Sequence, residues 1–93
     1  EAYDAARIAS LNCLAAVCYI TGTIDKIIRI IQVRGFVNSA DDFHDQPEVL
    51  NGTSDFLKEL FGKNGEHVRS ALGTSNLPMN IPVEVEMIVE VED

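Results

Sequence analysis

Ninety-three residues, nearly half of them apolar, make one domain with a modest core and exclude a disordered chain. Fifteen acidic against seven basic side chains leave a formal net charge of −8. That charge repels a polyanion at long range and the cations are scattered in sequence, so nucleic acid is not an expected partner. The sequence contains no long unbroken apolar run and no basic segment ahead of an apolar one, so nothing supports a membrane or secreted assignment and the cytoplasm is the expected compartment.

The sequence opens on Glu1 with the helical pattern A-A-R-I-A-S-L already under way, as though an element were cut at its beginning, so a fragment or processed chain is expected. From about Ala2 to Thr21 the residues Ile8, Leu11, Leu14 with Ala15, and Cys18 recur at three- and four-residue steps, with Arg7 and Ser10 off the stripe. This predicts an amphipathic helix that buries that stripe. Gly22 suits its end because glycine takes the left-handed conformation without a Cβ clash. Cys13 and Cys18 stand roughly 140° apart around such a helix, so they point away from each other and read as two reduced thiols.

Ile27 to Val37, I-I-R-I-I-Q-V-R-G-F-V, is nearly continuous in apolar and β-branched residues, which predicts an inner strand covered on both faces. Strict alternation places Arg29 and Arg34 on opposite faces of it. Asn38, Ser39, Asp41 and Asp42 then supply the short polar side chains and carboxylates that cap a helix and oppose its dipole. Asp41, Asp42, His44 and Asp45 are too nearly consecutive to converge on one ion, so no metal is expected. Pro47 suits the first turn of a second helix with Val49, Leu50, Leu57, Leu60 and Phe61 as its buried stripe, and Gly62 ends it. Asn51-Gly52 sits awkwardly inside that helix and by local rules alone would be a turn that splits it; one helix is expected through it, with allowance for a kink or an irregular first half. The glycosylation sequon at Asn51-Gly52-Thr53 is a chance match in a chain without a secretory signal.

A short strand over His67 to Leu72 is followed by Gly73 and T-S-N-L-P, which give the chain room to turn. The last run, Pro82 to Val91, puts Val83, Val85, Met87, Val89 and Val91 on one side and Glu84, Glu86, Ile88 and Glu90 on the other. The order helix, strand, helix, strand, strand predicts an α+β fold with both helices on one face of a mixed sheet. The crossover from Ile27 to Leu72 would be right-handed.

If the last two strands are neighbours, Arg69 and Glu84 come close. A guanidinium grips a small carboxylate through two parallel hydrogen bonds, and a nearby ionised Glu84 orients and deprotonates water for attack on the carbon so held. Such a pair would hydrolyse a 2-imino acid to a 2-keto acid and ammonia without metal or cofactor. The plainer alternative is a cross-strand ion pair between Arg69 and Glu84. Glu86 reads as a solvated or interface acid. Ser70 lacks a placed base, and His67 shares a face with Arg69, where it would serve a nuclease as acid or base.

The segment R-S-A-L-G-T-S-N-L-P-M-N-I-P-V-E-V-E-M-I-V-E-V resembles the C-terminal signature of the YjgF/Rid family, the reactive-intermediate deaminases also known as L-PSP endoribonucleases or translation inhibitors. The arginine-serine pair, the leucine-proline eight residues on and the alternating V-E-V-E all keep their spacing, and the likeness extends back through G-F-V-N-S-A and N-C-L-A-A. It covers nearly the whole chain and corresponds to the C-terminal two-thirds of the family pattern, without the family's N-terminal strands. The resemblance implies a YjgF-like, chorismate-mutase-like fold, a homotrimer and a substrate cleft between subunits. It also implies that Arg69 holds a substrate carboxylate and Glu84 positions water, with Asn51 the nearest match to an asparagine that contributes from the second helix. Ala71 stands where many deaminating members carry a cysteine.

Three functions follow as expectations. The first is hydrolytic deamination of 2-imino or enamino acids in an inter-subunit cleft. The second is a module that binds small carboxylates without turning them over. The third is an endoribonuclease of the L-PSP type with His67 and Arg69 at the phosphate, which the acidic charge disfavours.

Overall fold

The apolar run beginning at Ile27 becomes the middle strand of the sheet, and the rest of the chain is arranged about it. In the computed structural model, which describes residues 1–92, the elements are α1 (Ala2–Thr21), β1 (Ile27–Asn38), α2 (Gln46–Phe61), β2 (Val68–Thr74) and β3 (Val83–Val91). Single 3-10 turns lie at Ile24–Lys26, Gly62–Gly65 and Pro78–Asn80. The strand order is β2-β1-β3, with β2 parallel and β3 antiparallel to β1. Both helices cover one face of this mixed sheet, the α+β arrangement expected from the element order.

The connection from β2 to β3 crosses the end of β1, and Asn38 ties it down. Its backbone amide donates to the Pro82 carbonyl, and its side-chain amide donates to Asn80 Oδ1 and to the Ile81 carbonyl, both at 3.1 Å. Asn38 is therefore a clamp on the crossing and not a cap of α2. The capping expectation fails elsewhere too. Ser39 Oγ donates to the Val37 carbonyl, and Asp45, at the N-cap, makes no side-chain cap bond.

Two register shifts bend β1. The pairing passes from Ile27 with Val91 to Arg29 with Glu90, and from Ile30 with Val89 to Gln32 with Ile88, so β1 carries one extra residue in each interval. The bulges break strict alternation. Ile30 and Val33, an odd number apart, both enter the core, and Arg29 and Arg34 emerge on the same face. Each pairs with an acid of β3: Arg29 Nε lies 2.9 Å from Glu90 Oε1 and Arg34 Nη1 lies 3.8 Å from Glu86 Oε1. The opposite-face expectation for these arginines is thus corrected by an irregularity that a parity rule cannot register.

The core lies entirely on the helix side. One cluster joins Ala6, Val37, Val49, Leu50 and Val83, and the other joins Leu14, Ile27, Ile30, Val33 and Leu57. The other sheet face, where Val68, Leu72 and Ile88 are exposed, has no covering element among the described residues, so β1 is not enclosed on both sides within one copy.

Helix α1 is turned away from the expected stripe. Ile8 and Leu11 are 59% and 54% exposed, while Ala6, Ser10 and Leu14 are buried. The reason is α2, which comes so close that only small side chains fit between the helices. A Cβ on Gly52 would overlap the Tyr3 carbonyl oxygen and stand 3.3 Å from Ala6 Cβ. Ser10 Oγ donates to the Ala6 carbonyl at 2.8 Å and lies 2.6 Å from Thr53 Oγ1, and Thr53 Oγ1 lies 2.9 Å from the same carbonyl. Gly52 is thus the contact point of two helices, and α2 runs through Asn51-Gly52 as the one helix expected there. Within α2, Leu60 is exposed and Val49, Leu50 and Leu57 are buried. Gly22 ends α1 in the left-handed region at φ 91°, as its sequence position predicts.

Candidate functional site

Parallel pairing sets Arg69 opposite Val33, a core residue, so the arginine leaves β2 on the helix side. Ala71, two residues on, packs against the core on the same side. Glu84 lies between Val83 and Val85, both of which contact the core, and is paired with Phe36, so it leaves β3 on the uncovered side. Arg69 and Glu84 are consequently on opposite faces and on strands separated by β1. Their expected juxtaposition within one chain is incorrect, and so is the cross-strand ion pair. The connection after β2 has room to step over the end of β1, and side-chain patterning does not register strand order.

What Arg69 meets instead is α2. Its Nη1 donates to Asn51 Oδ1 at 2.9 Å and to Ser54 Oγ at 3.2 Å, so two α2 residues one turn apart hold the guanidinium. Among the described residues the ion pairs within 4 Å are Arg29 with Glu90 and Arg34 with Glu86. Arg69 therefore has no carboxylate partner, and its remaining N–H groups are available to an anion. Asn51, which the resemblance matches to a contributing asparagine on the second helix, is one of these two α2 partners of Arg69.

His67 completes the group. The turn at Gly62–Gly65 packs against the end of α2, where a Cβ on Gly65 would run into the Leu57 carbonyl, and this close approach brings His67 back toward Ser54. His67 Nδ1 lies 2.6 Å from the Gly65 carbonyl oxygen and Nε2 lies 2.9 Å from Ser54 Oγ. A carbonyl can only accept, so Nδ1 carries the proton and, in the neutral ring, Nε2 accepts from the Ser54 hydroxyl. A continuous chain of hydrogen bonds thus runs from the Gly65 carbonyl through His67 and Ser54 to Arg69. These side chains open into a cavity of about 370 Å³, with Asp55, Lys58 and Glu66 completing its walls. The two carboxylates offset the cations there.

Ser54 had no counterpart in the sequence reading. The available signal was its place three residues after Asn51 on a helix edge, which aligns the two toward one neighbour, but nothing local says that β2 lies there. Ser70, by contrast, is paired with Arg34 and belongs to the other face. Among the described residues no group of three or more His, Cys, Asp or Glu is placed to hold a metal ion. Both thiols are free. Cys13 Sγ lies 3.4 Å from the Val85 carbonyl oxygen, and burial pushes its thiol above the usual range. No helix among the described residues is long and apolar enough to cross a membrane.

The family model described as "YjgF/chorismate mutase-like, putative endoribonuclease" matches residues 1–91. The chain is 35% identical over 94 aligned positions to Protein TCP17 of Trypanosoma cruzi, spanning all of this chain and 59% of that one. It superposes with a TM-score of 0.95 on the crystal structure of the protein Atu1372, of unknown function, from Agrobacterium tumefaciens, at 39% identity over 99% of this chain and 59% of that chain. A crystal structure described as a "putative endoribonuclease" from Shewanella oneidensis superposes with a TM-score of 0.92, at 32% identity over 98% of this chain and 60% of that one. The chain therefore spans about three-fifths of the length of these relatives.

Proposed function

The chain belongs to the YjgF/chorismate mutase-like family, and from that premise we propose that it binds small 2-imino or enamino acids by their carboxylate at Arg69 and hydrolyses them to 2-keto acids and ammonia. The observation that carries this reading is the state of Arg69, whose guanidinium is held by Asn51 and Ser54, has no carboxylate partner and faces an open cavity. A fork fixed in that way is preorganised for a planar carboxylate, and little further ordering is needed when the ligand arrives. A protonated imine is already electrophilic, so the protein has only to orient the acid and deliver water.

In this proposal Glu84 positions that water for a ligand held by Arg69 of another copy, because on its own chain it lies on the far face of the sheet. Copies meet through the uncovered face that exposes Val68, Leu72 and Ile88, and the expected assembly is a homotrimer. The test is ammonia release from a 2-imino acid generated freshly by an amino-acid oxidase. Acceleration over buffer that is lost in Arg69→Ala supports the reading, and no acceleration from the parent protein rejects it. Saturable binding of a small carboxylate without turnover would instead leave a binding module.

A second reading has an observation of its own. Lys58, His67 and Arg69 share one cavity, the donors and acid–base group that an endoribonuclease would place around a phosphate. Asp55 and Glu66 in the same walls and the net charge of −8 oppose it. RNA cleavage that survives repurification and vanishes in Arg69→Ala would favour it over deamination.

A further inference from the structure

We propose that Ser54 is a nucleophile, with His67 as its base, and that the cavity beside Arg69 accepts small activated acyl donors. Three observations carry this. The first is where the hydroxyl goes. Mid-helix serines and threonines commonly return the hydroxyl proton to the carbonyl four residues back, as Ser10 does to Ala6. Ser54 instead directs its hydroxyl off the helix to His67 Nε2 at 2.9 Å.

The second is the third member of the array. The Gly65 carbonyl, 2.6 Å from Nδ1, fixes the tautomer and orientation that leave Nε2 free to take the serine proton. Nucleophile, base and orienting group thus stand in the mutual geometry that activates a hydroxyl. The third is a donor for the charge that develops. Arg69 Nη1 reaches Ser54 Oγ at 3.2 Å, so the guanidinium borders the point where a tetrahedral oxyanion would form. Ser54 is only 6% exposed, but it lines the cavity of about 370 Å³ together with His67 and Arg69.

The reaction balances without an added redox partner. Ser54 Oγ forms a bond to the acyl carbon while its proton passes to His67 Nε2, and the carbon–oxygen bond to the leaving group breaks as that proton moves onto the departing oxygen. Water then attacks the acyl-serine, gives a proton to His67, and releases the acid as Ser54 recovers its hydrogen. This proposal shares with the proposed function only the anion-holding role of Arg69. It makes no use of imine chemistry or of Glu84.

The test is covalent labelling. The purified protein is treated separately with 4-nitrophenyl acetate and phenylmethylsulfonyl fluoride, and the adducts are located by intact mass and peptide mapping. The expected result is a single modification on the peptide carrying Ser54, absent in Ser54→Ala and formed at least ~100-fold more slowly in His67→Gln. Adducts confined to lysines or tyrosines, no adduct at all, or Ser54 labelling at the parental rate in His67→Gln would overturn it. Mapping on the parent is decisive even if a variant folds poorly. Ammonia release without Ser54 labelling would sink this inference and leave the deaminase reading standing, and the reverse pattern would do the opposite.

Discussion

Replacing Gly52 by alanine sets two effects of opposite sign against each other. In a solvated helix the change is favourable by about 1 kcal/mol, because alanine gives up less backbone entropy than glycine. At this position the new methyl group would overlap the Tyr3 carbonyl oxygen, stand 2.9 Å from its carbonyl carbon and 3.3 Å from Ala6 Cβ. The first two are backbone atoms that cannot swing aside, so α1 must move outward. Overpacking of this kind costs about 1–3 kcal/mol. The displacement also stretches the buried contacts of Thr53 Oγ1 with Ser10 Oγ and with the Ala6 carbonyl, worth about 1 kcal/mol each. The net expectation is a loss of about 2–4 kcal/mol, against a total stability for a chain of this length of about 5–14 kcal/mol. Urea unfolding followed by far-ultraviolet circular dichroism measures it as a lower midpoint at unchanged slope. Asn12→Ala, on the exposed side of α1, serves as the control and should be neutral or slightly stabilising. A Gly52→Ala variant as stable as the parent would refute the close packing of α1 on α2.

Other expectations follow from particular contacts. Mixing Arg69→Ala with Glu84→Gln subunits, each inactive alone, should restore about a quarter of the parental ammonia release if each site draws its arginine and glutamate from different copies; no restoration would remove Glu84 from a shared site. Leu72→Glu combined with Ile88→Glu places charge on the uncovered sheet face and should shift the assembly toward monomers in sedimentation velocity, whereas an unchanged coefficient would place the interface elsewhere. Gly62→Ala meets no neighbouring atom, yet φ 60° with ψ −132° strains any side chain, so a loss of about 1–3 kcal/mol is expected from the same urea assay. Because burial holds the Cys13 thiol above its ordinary range, the unfolded chain ionises first as pH rises. Stability is therefore full below the ordinary thiol range and declines above it until the folded thiol ionises. Tyr3, raised first by its hydrogen bond to Asp55, adds a decline of the same sign at higher pH. Thermal midpoints taken from pH 7 to pH 10.5 should fall less steeply for Cys13→Ala than for the parent.

Local pattern determined the element types, the end of α1 at Gly22, the alternation of β3 and the α+β class, because each depends on neighbours three or four residues away or on side-chain parity. The family was legible for a related reason: the spacing from the arginine-serine pair to the V-E-V-E strand is read along the chain without any knowledge of the packing. Three things required tertiary structure. The bulges in β1 shifted parity and put Arg29 and Arg34 on one face. The close approach of α2 through Gly52 selected the small side of α1 for burial over the stripe of Ile8 and Leu11, a choice that composition alone reverses because it rewards the larger residues. Strand order set β1 between Arg69 and Glu84, and the pleat then sent them to opposite faces, while the same order laid Asn51, Ser54 and His67 against Arg69. A chain records which side chains it carries and how far apart they lie along it; which of two faces they occupy, and across which neighbour, is decided only when the strands pair.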